Sequence, residues 1–216
     1  SKTLLDADAV HDPSCSFDDL EAHAEGLILL SGGVLAGFVG APAGDGRPTL
    51  AAARADRLVA IFGDRFYIEL QRHGLGIERT AEPHLLEIAD RLHLPLVATN
   101  DCRFENAAMS QPHDTLVCIG TGRKFSETSR PRFSPEHYFK TAAQMSELFQ
   151  DIPEAISNTL VIAKRCSTMA RQRDPILPPF ESADGRNEED ELTAQAEAGL
   201  QSRLQRHVYD DSMDEA

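Results

Sequence analysis

The chain has 216 residues, of which 35 are acidic and 21 basic, so its formal net charge is -14 at pH 7. Its 41% of apolar and 26% of charged residues are typical of a globular protein that can bury a core. The acidic excess argues against a surface built mainly to bind nucleic-acid phosphates, and no run of about 20 apolar residues predicts a membrane span.

The cysteine content argues against structural zinc and against a disulfide framework. The four cysteines are far apart and form no Cys-X-X-Cys pair: Cys15, Cys102, Cys118 and Cys166. We expect no basic, apolar leader before the fold, because the first residues are largely polar. We therefore expect reduced thiols and a location in a bacterial-type cytoplasm.

Strands and helices alternate along the first half of the chain. Residues 27–30 form a short apolar run, and residues 51–62 have the apolar spacing of a helix. Residues 66–70 predict a strand with Phe66, Ile68 and Leu70 on one face. A continuous apolar run at 94–98 predicts a strand covered on both faces.

Three further helices have start signals. Thr80 is a candidate cap for a helix with Pro83 in its first turn, and its predicted buried stripe is Leu85, Ile88, Ala89 and Leu92. Thr141 and Gln144 fit a capping box. Pro153 opens the last of the three, whose predicted stripe is Ile156, Leu160 and Ala163. The alternation predicts an α/β fold with parallel strands.

The composition changes after about residue 170. Residues 171–216 contain twelve acidic and five basic residues, and the proline-rich stretch 174–180 predicts a linker. Residues 188–205 have helical spacing, and the last residues, 210–216, predict a frayed end. We place a boundary near residues 167–173, which gives one domain over 1–170 and a mostly helical segment over 171–216.

Polar side chains follow the predicted strands, at the edge where functional groups gather in parallel α/β folds. A cleft that holds Glu69, His73 and Asp101 would contain ligands suited to zinc or manganese and to hydrolysis by metal-activated water. The alternative is structural, because a single histidine after a strand is commonly a turn residue and an aspartate there commonly caps the next helix. Neither a Gly-X-Ser-X-Gly elbow nor a phosphate-binding glycine loop is present.

Positive charge concentrates in one region, which is a candidate contact for nucleic acid or a partner protein. Its residues are Arg123, Lys124, Arg130, Arg132 and Lys140. Glu127 and Glu136 are interspersed, and this mixture favours a solvated loop as the alternative.

Several segments occur in an order that is recognisable. Four segments carry this order: RFYIELQRHG at 65–74, LPLVATND at 94–101, IPEAISNT at 152–159 and AKRC at 163–166. Shorter segments also fit: GLILLSG at 26–32, RPRF at 130–133 and ILP at 176–178. Together they resemble the bacterial DNA polymerase III alpha subunits, in the later portion of the PHP (polymerase and histidinol phosphatase) domain.

The resemblance implies a distorted, TIM-like α/β barrel that holds a multi-metal phosphoesterase site in some members. The family's early His-X-His motif is absent here, so we expect an internal section of a longer protein. Gly33 stands where metal-binding members have Cys or His, and Arg103 replaces the His of an Asp-X-His motif. A fixed positive charge opposes cation binding. We therefore expect no metal, a vestigial site at Glu69, His73 and Asp101, and Asp101 paired with Arg103 or capping a helix.

The resemblance also implies a function. The parent protein would copy DNA from deoxynucleoside triphosphates, using Mg²⁺ held by acids beyond the part that matches residues 188–203. This section would need no cofactor and would be inactive alone. It would stabilise the subunit and contact the proofreading exonuclease and other holoenzyme subunits, with DNA bound mainly elsewhere.

Two alternatives remain open at this stage. One is a metal-dependent phosphoesterase or 3′–5′ exonuclease that uses Glu69, His73 and Asp101 as ligands. The other is the error-prone paralogue of the same polymerase family.

Overall fold

The computed structural model describes residues 15–169 and 185–205, together with Gln172 and Pro175. The chain divides into two units, Ser1–Ser167 and Thr168–Ala216. Except for Pro175, the linker predicted at 174–180 lies outside the described residues, as does the end predicted to fray.

Three parallel strands form the sheet of the first unit, in the order β1-β2-β3. They are β1 (Leu29–Leu30), β2 (Phe66–Leu70) and β3 (Leu96–Ala98). Leu29 lies opposite Phe66 across the first pair of strands, and Ile68 lies opposite Leu96 across the second. The predicted α/β class with parallel strands is confirmed.

Seven helices belong to the described part of the first unit, and one further helix belongs to the second unit. They are α1 (Phe17–Ala22), α2 (Gly40–Gly44), α3 (Pro48–Phe62), α4 (Gly76–Leu92), α5 (Ser110–Thr121), α6 (Ala142–Leu148), α7 (Pro153–Arg165) and α8 (Glu188–Gln205). Short 3-10 turns cover Gly63–Arg65 and Ala107–Met109. Among the described residues, no helix combines the length and apolar character needed to cross a membrane.

Strand β2 is buried on both faces, although its alternating sequence predicts one apolar face. Phe66, Ile68 and Leu70 are buried, but so is Tyr67 on the opposite face. The hydroxyl of Tyr67 accepts a hydrogen bond from Arg165 at 3.0 Å, which satisfies its polar end. A parallel strand with helices on both sides has no face left for solvent.

Helix α4 begins four residues before the predicted cap. Its first residue is Gly76, and the carboxylate of Glu78 in the first turn accepts the N–H of Leu75 at 3.0 Å. Thr80 and Pro83 therefore lie inside the helix, and the prediction that Thr80 caps it is wrong. The predicted stripe holds, since Leu85, Ile88 and Ala89 are buried and Leu92 is half-buried.

The start signals of α6 and α7 are confirmed, but of the stripe predicted for α7 only Ile156 packs against the core, and Leu160 and Ala163 are exposed. Thr141 caps α6 and Pro153 opens α7. The buried residue of α7 is Ala155, whereas Leu160 is 66% exposed. Asn158 sets this orientation, because its side chain donates to the carbonyl oxygen of Leu96 at the edge of the sheet, at 2.8 Å.

The loop after β1 crosses itself so closely that only glycine fits. A Cβ on Gly37 would lie 2.3 Å from the carbonyl carbon of Gly32 and 2.4 Å from the carbonyl oxygen of Gly33. Both atoms belong to the backbone and cannot rotate away. The tight crossing places Ser31 and Gly33 at the carboxyl edge of the sheet.

We predict that Gly37→Ala lowers the free energy of unfolding by about 3 kcal/mol, because the added methyl group overlaps backbone atoms. The matched control is Gly120→Ala in α5, where a Cβ meets nothing within 4 Å. The control should be neutral or stabilising by up to about 1 kcal/mol. Urea unfolding checks both, and equal effects would contradict the close crossing.

Candidate functional site

The three strands end side by side, so the residues that follow them meet at one edge of the sheet. The N–H of Ser31 donates to the carbonyl oxygen of Tyr67 at 2.9 Å, and the N–H of Thr99 donates to that of Leu70 at 3.0 Å. The hydroxyl of Ser31 also accepts the N–H of Glu69 at 2.8 Å. These hydrogen bonds hold the carboxyl ends of the three strands in a fixed register.

One carboxylate oxygen of Glu69 is held by neutral donors. This Oε1 atom accepts from the amide of Gln71 at 3.0 Å and from the hydroxyl of Thr99. The same amide donates to the Thr99 hydroxyl at 3.1 Å, which closes a ring of three side chains. We call Glu69, Gln71 and Thr99 the strand-end network. It ties the end of β2 to the end of β3 by hydrogen bonds.

The Gln71 side chain also fills the space beside Gly33. A Cβ on Gly33 would lie 2.1 Å from Oε1 of Gln71. A larger side chain at position 33 therefore cannot coexist with Gln71 in its present position. The glycine leaves room for the strand-end network.

Asp101 forms an ion pair with Arg103, as the sequence predicted. The two side chains meet at 2.8 Å, and both are partly exposed. The guanidinium of Arg103 lies 4.7 Å from the centre of the Phe133 ring, which adds a cation–π contact. The positive charge is thus fixed beside the one carboxylate at this strand end.

His73 supports the start of α4. Its Nδ1 atom donates to one carboxylate oxygen of Glu78, and its backbone N–H donates to the other, both at 2.7 Å. Burial acts to raise the pKa of Glu78, but the hydrogen bonds from His73 and Leu75 outweigh it, and the pKa is lowered. The Nε2 atom of His73 is buried without a hydrogen-bond partner among the described residues.

His137 lies against His73, a contact that the sequence does not reveal. The two rings are stacked, with centroids 3.8 Å apart and an angle of 11° between their planes. His137 is 1% exposed, and its Nδ1 atom donates to the carbonyl oxygen of Ser134 at 3.1 Å. The Ser134 hydroxyl donates to the carbonyl oxygen of His73 at 2.8 Å, which fixes the loop to the strand end.

The predicted ligands do not converge on one point. Glu69 faces the strand-end network, His73 faces Glu78, and Asp101 faces Arg103. Within residues 15–169 and 185–205, no group of three or more His, Cys, Asp or Glu side chains is placed to hold a metal ion. The described residues therefore do not fit the multi-metal centre that the family implies.

Arg130 departs from the prediction of an exposed basic contact. Its side chain is buried, and its guanidinium donates to both carboxylate oxygens of Asp114, to Oδ2 at 2.6 Å. This hydrogen bonding lowers the pKa of Asp114. Arg123 pairs with Glu127 at 3.2 Å, whereas Lys124 and Arg132 are exposed. Arg130 is thus a buried, ion-paired side chain and is not available as an exposed basic contact.

We predict that stability falls as the pH drops below about 6.5, the ordinary pKa of histidine. Burial, followed by the neighbouring His73, lowers the pKa of His137 in the folded state. The unfolded chain then binds more protons, so the stabilisation is complete above pH 6.5 and is lost below it.

The test uses His137→Phe, which keeps a stacked ring and removes the titrating group. The free energy of unfolding of this variant should decline less between pH 6.5 and 5 than that of the unsubstituted chain. The matched control is Gly120→Ala, which changes no titrating group and should keep the pH slope of the unsubstituted chain. The prediction would be contradicted if the free energy of unfolding changed with pH in the same way for His137→Phe and for the unsubstituted chain.

We also predict that the purified chain holds no stoichiometric zinc or manganese, because Gly33 and Arg103 replace ligands of the family site and Arg103 is paired with Asp101. Elemental analysis after dialysis against each metal provides the measurement. Two or three tightly held ions per chain would overturn this assignment.

Comparison with known proteins identifies relatives that share most of the chain. The PHP domain family matches residues 2–73. The DNA polymerase III subunit alpha of Caulobacter vibrioides is 47% identical over 205 residues, which is 95% of this chain and 18% of that protein. The same subunit of Rickettsia bellii is 40% identical over 88% of this chain and 16% of its own length.

The subunit of Escherichia coli K12 is 40% identical over 83% of the chain and 15% of its own length. The chain thus spans less than a fifth of the length of these relatives. The resemblance drawn from the sequence motifs is confirmed: this chain is related over most of its length to bacterial DNA polymerase III alpha subunits and corresponds to a section of them that carries PHP-domain sequence.

Proposed function

We propose that this chain is a structural and partner-docking section of a DNA polymerase III alpha subunit. The whole protein would copy DNA from deoxynucleoside triphosphates in the cytoplasm. The match of 47% identity to such a subunit supports the parent's identity. The proofreading exonuclease and other holoenzyme subunits are its proposed partners, and DNA would be bound mainly by other parts of the parent.

One observation carries the structural role: the strand-end network occupies the edge where a PHP-type metal centre would lie. The Oε1 atom of Glu69 already accepts two hydrogen bonds from neutral side chains, which stabilise its negative charge and tie β2 to β3. The amide of Gln71 also occupies the space that a ligand at position 33 would require. The edge is held by hydrogen bonds, which stabilise the fold without supplying a reactive group.

The proposal places the polymerase chemistry elsewhere in the parent. Templated synthesis requires carboxylates that bind Mg²⁺ and align the primer with the incoming nucleotide. No such cluster of carboxylates occurs among the described residues. In the proposal, these acids and their Mg²⁺ belong to parts of the parent outside the 216 residues.

The second candidate, a metal-dependent phosphoesterase or 3′–5′ exonuclease, is favoured by one observation. The Nε2 atom of His73 is buried and has no hydrogen-bond partner among the described residues, so a ligand atom is available. A hydrolytic centre would need further ligands, and the two carboxylates predicted to supply them, Glu69 and Asp101, are bonded to other side chains. We therefore favour the structural role.

We predict that the isolated chain incorporates no nucleotide on a primed template with Mg²⁺, because the proposal assigns the acids that polymerisation requires to other parts of the parent. The full-length parent protein should extend the same primer under the same conditions. Gel analysis of labelled primer measures both. Extension by the pure chain would overturn the assignment of a non-catalytic section, and a parent without extension would overturn the polymerase identity.

A further inference from the structure

An apolar stripe lies on the outward face of α5 and the turn before it. Met109, Pro112, Leu116 and Ile119 follow one another at intervals of three, four and three residues. Leu116 is 63% and Ile119 74% exposed. This spacing places all four side chains along one side of a helix, as in the contact seam of a coiled coil.

The opposite face fixes α5 to the rest of the unit. The ring of His113 lies 5.2 Å from the centre of Phe104 and 5.3 Å from that of Phe133. Asp114 is held by Arg130, and Cys118 is buried. Because these contacts set the rotation of the helix, the stripe is held outward.

A cleft of about 430 Å³ lies beside the first turns of α5. Its lining includes Ser110, Gln111, Phe125, Arg132 and Phe133. Phe125 is 54% exposed at this place. The cleft can accept one large apolar side chain from a helix that lies along the stripe.

The charged groups around the stripe and cleft are mainly basic. Arg123 and Lys124 follow the end of α5, and Arg132 lines the cleft beside its start. Asp114 is paired with Arg130 and Glu127 with Arg123, so these four charges offset one another and Lys124 and Arg132 supply the local positive charge. Local positive charge in a chain of net charge -14 favours an acidic partner.

We propose that this α5 surface, formed by the stripe, the cleft, Lys124 and Arg132, binds an acidic amphipathic helix of another holoenzyme subunit. The inference rests on the proposed function, because it names the surface through which this section docks a partner. The exposed stripe residues are mainly aliphatic and follow helical spacing, which suits a helix laid along them. Stacking of several DNA bases requires aromatic platforms in a row, whereas the α5 surface has one exposed ring, Phe125, beside the half-buried Phe133.

The test uses the full-length parent subunit and each purified holoenzyme subunit in turn, the proofreading exonuclease included. Leu116→Ser combined with Ile119→Ser should weaken binding of one of these proteins by about 10-fold or more. Lys124→Glu combined with Arg132→Glu should weaken the same complex and reduce its salt dependence. Primer extension by the parent alone should not change in either variant.

The matched control is Phe139→Ser combined with Leu160→Ser, a pair that is 72% and 66% exposed outside the α5 surface. This variant should bind every subunit as the parent does. A photo-crosslinker at position 119 in the assembled holoenzyme should label a helical, acidic segment of the same partner.

Three results would overturn the inference. The first is unchanged binding of every subunit by the α5 variants. The second is a crosslink within the parent subunit, which would show that its own chain covers the stripe. The third is a selective loss of single-stranded DNA binding. A parent that extends no primer would instead refute the proposed function, so the two failures are distinguishable.

Discussion

A carboxylate at the carboxyl edge of a parallel sheet needs neighbouring groups that stabilise its negative charge. For Glu69 these groups are neutral hydrogen-bond donors, and this choice determines the chemistry available at the edge. The amide of Gln71 and the hydroxyl of Thr99 both donate to Glu69, so the ends of β2 and β3 are joined without a cation. Leaving a partly buried carboxylate unsatisfied would cost more than a typical hydrogen bond contributes. The space beside Gly33 is what allows the amide to reach this position.

The other carboxylates near this edge are also bonded to neighbouring side chains. Asp101 is paired with Arg103, and Glu78 accepts hydrogen bonds from His73 while it holds the start of α4. His137 covers the ring of His73 and connects the strand end to the loop around Ser134. Side chains of the types that bind metals thus serve as hydrogen-bonding and packing groups, which suits a domain retained for structure and assembly.

Apolar periodicity predicted the strands and most helices, because it reports burial directly. The Asp101–Arg103 pair was one of two roles expected for Asp101 once Arg103 was seen to replace a histidine of the family motif. The pattern failed where contacts distant in sequence decide the outcome. The start of α4 is set by Glu78 and His73, so the cap signal at Thr80 was misleading. His137 has no local pattern that marks its stack, and the burial of Arg130 depends on Asp114 in another element.

The most direct test of the strand-end network is a double-mutant cycle between Gln71→Ala and Thr99→Val, measured by urea unfolding with excess Mn²⁺ and with a chelator. A shared, metal-free network predicts a coupling free energy of about 1 kcal/mol that is the same in both conditions. A ligand that binds only the folded state would raise stability when added. Two results would contradict a metal-free structural edge. One is that the two substitutions change the free energy of unfolding additively, and the other is that Mn²⁺ stabilises the unsubstituted chain by several kcal/mol.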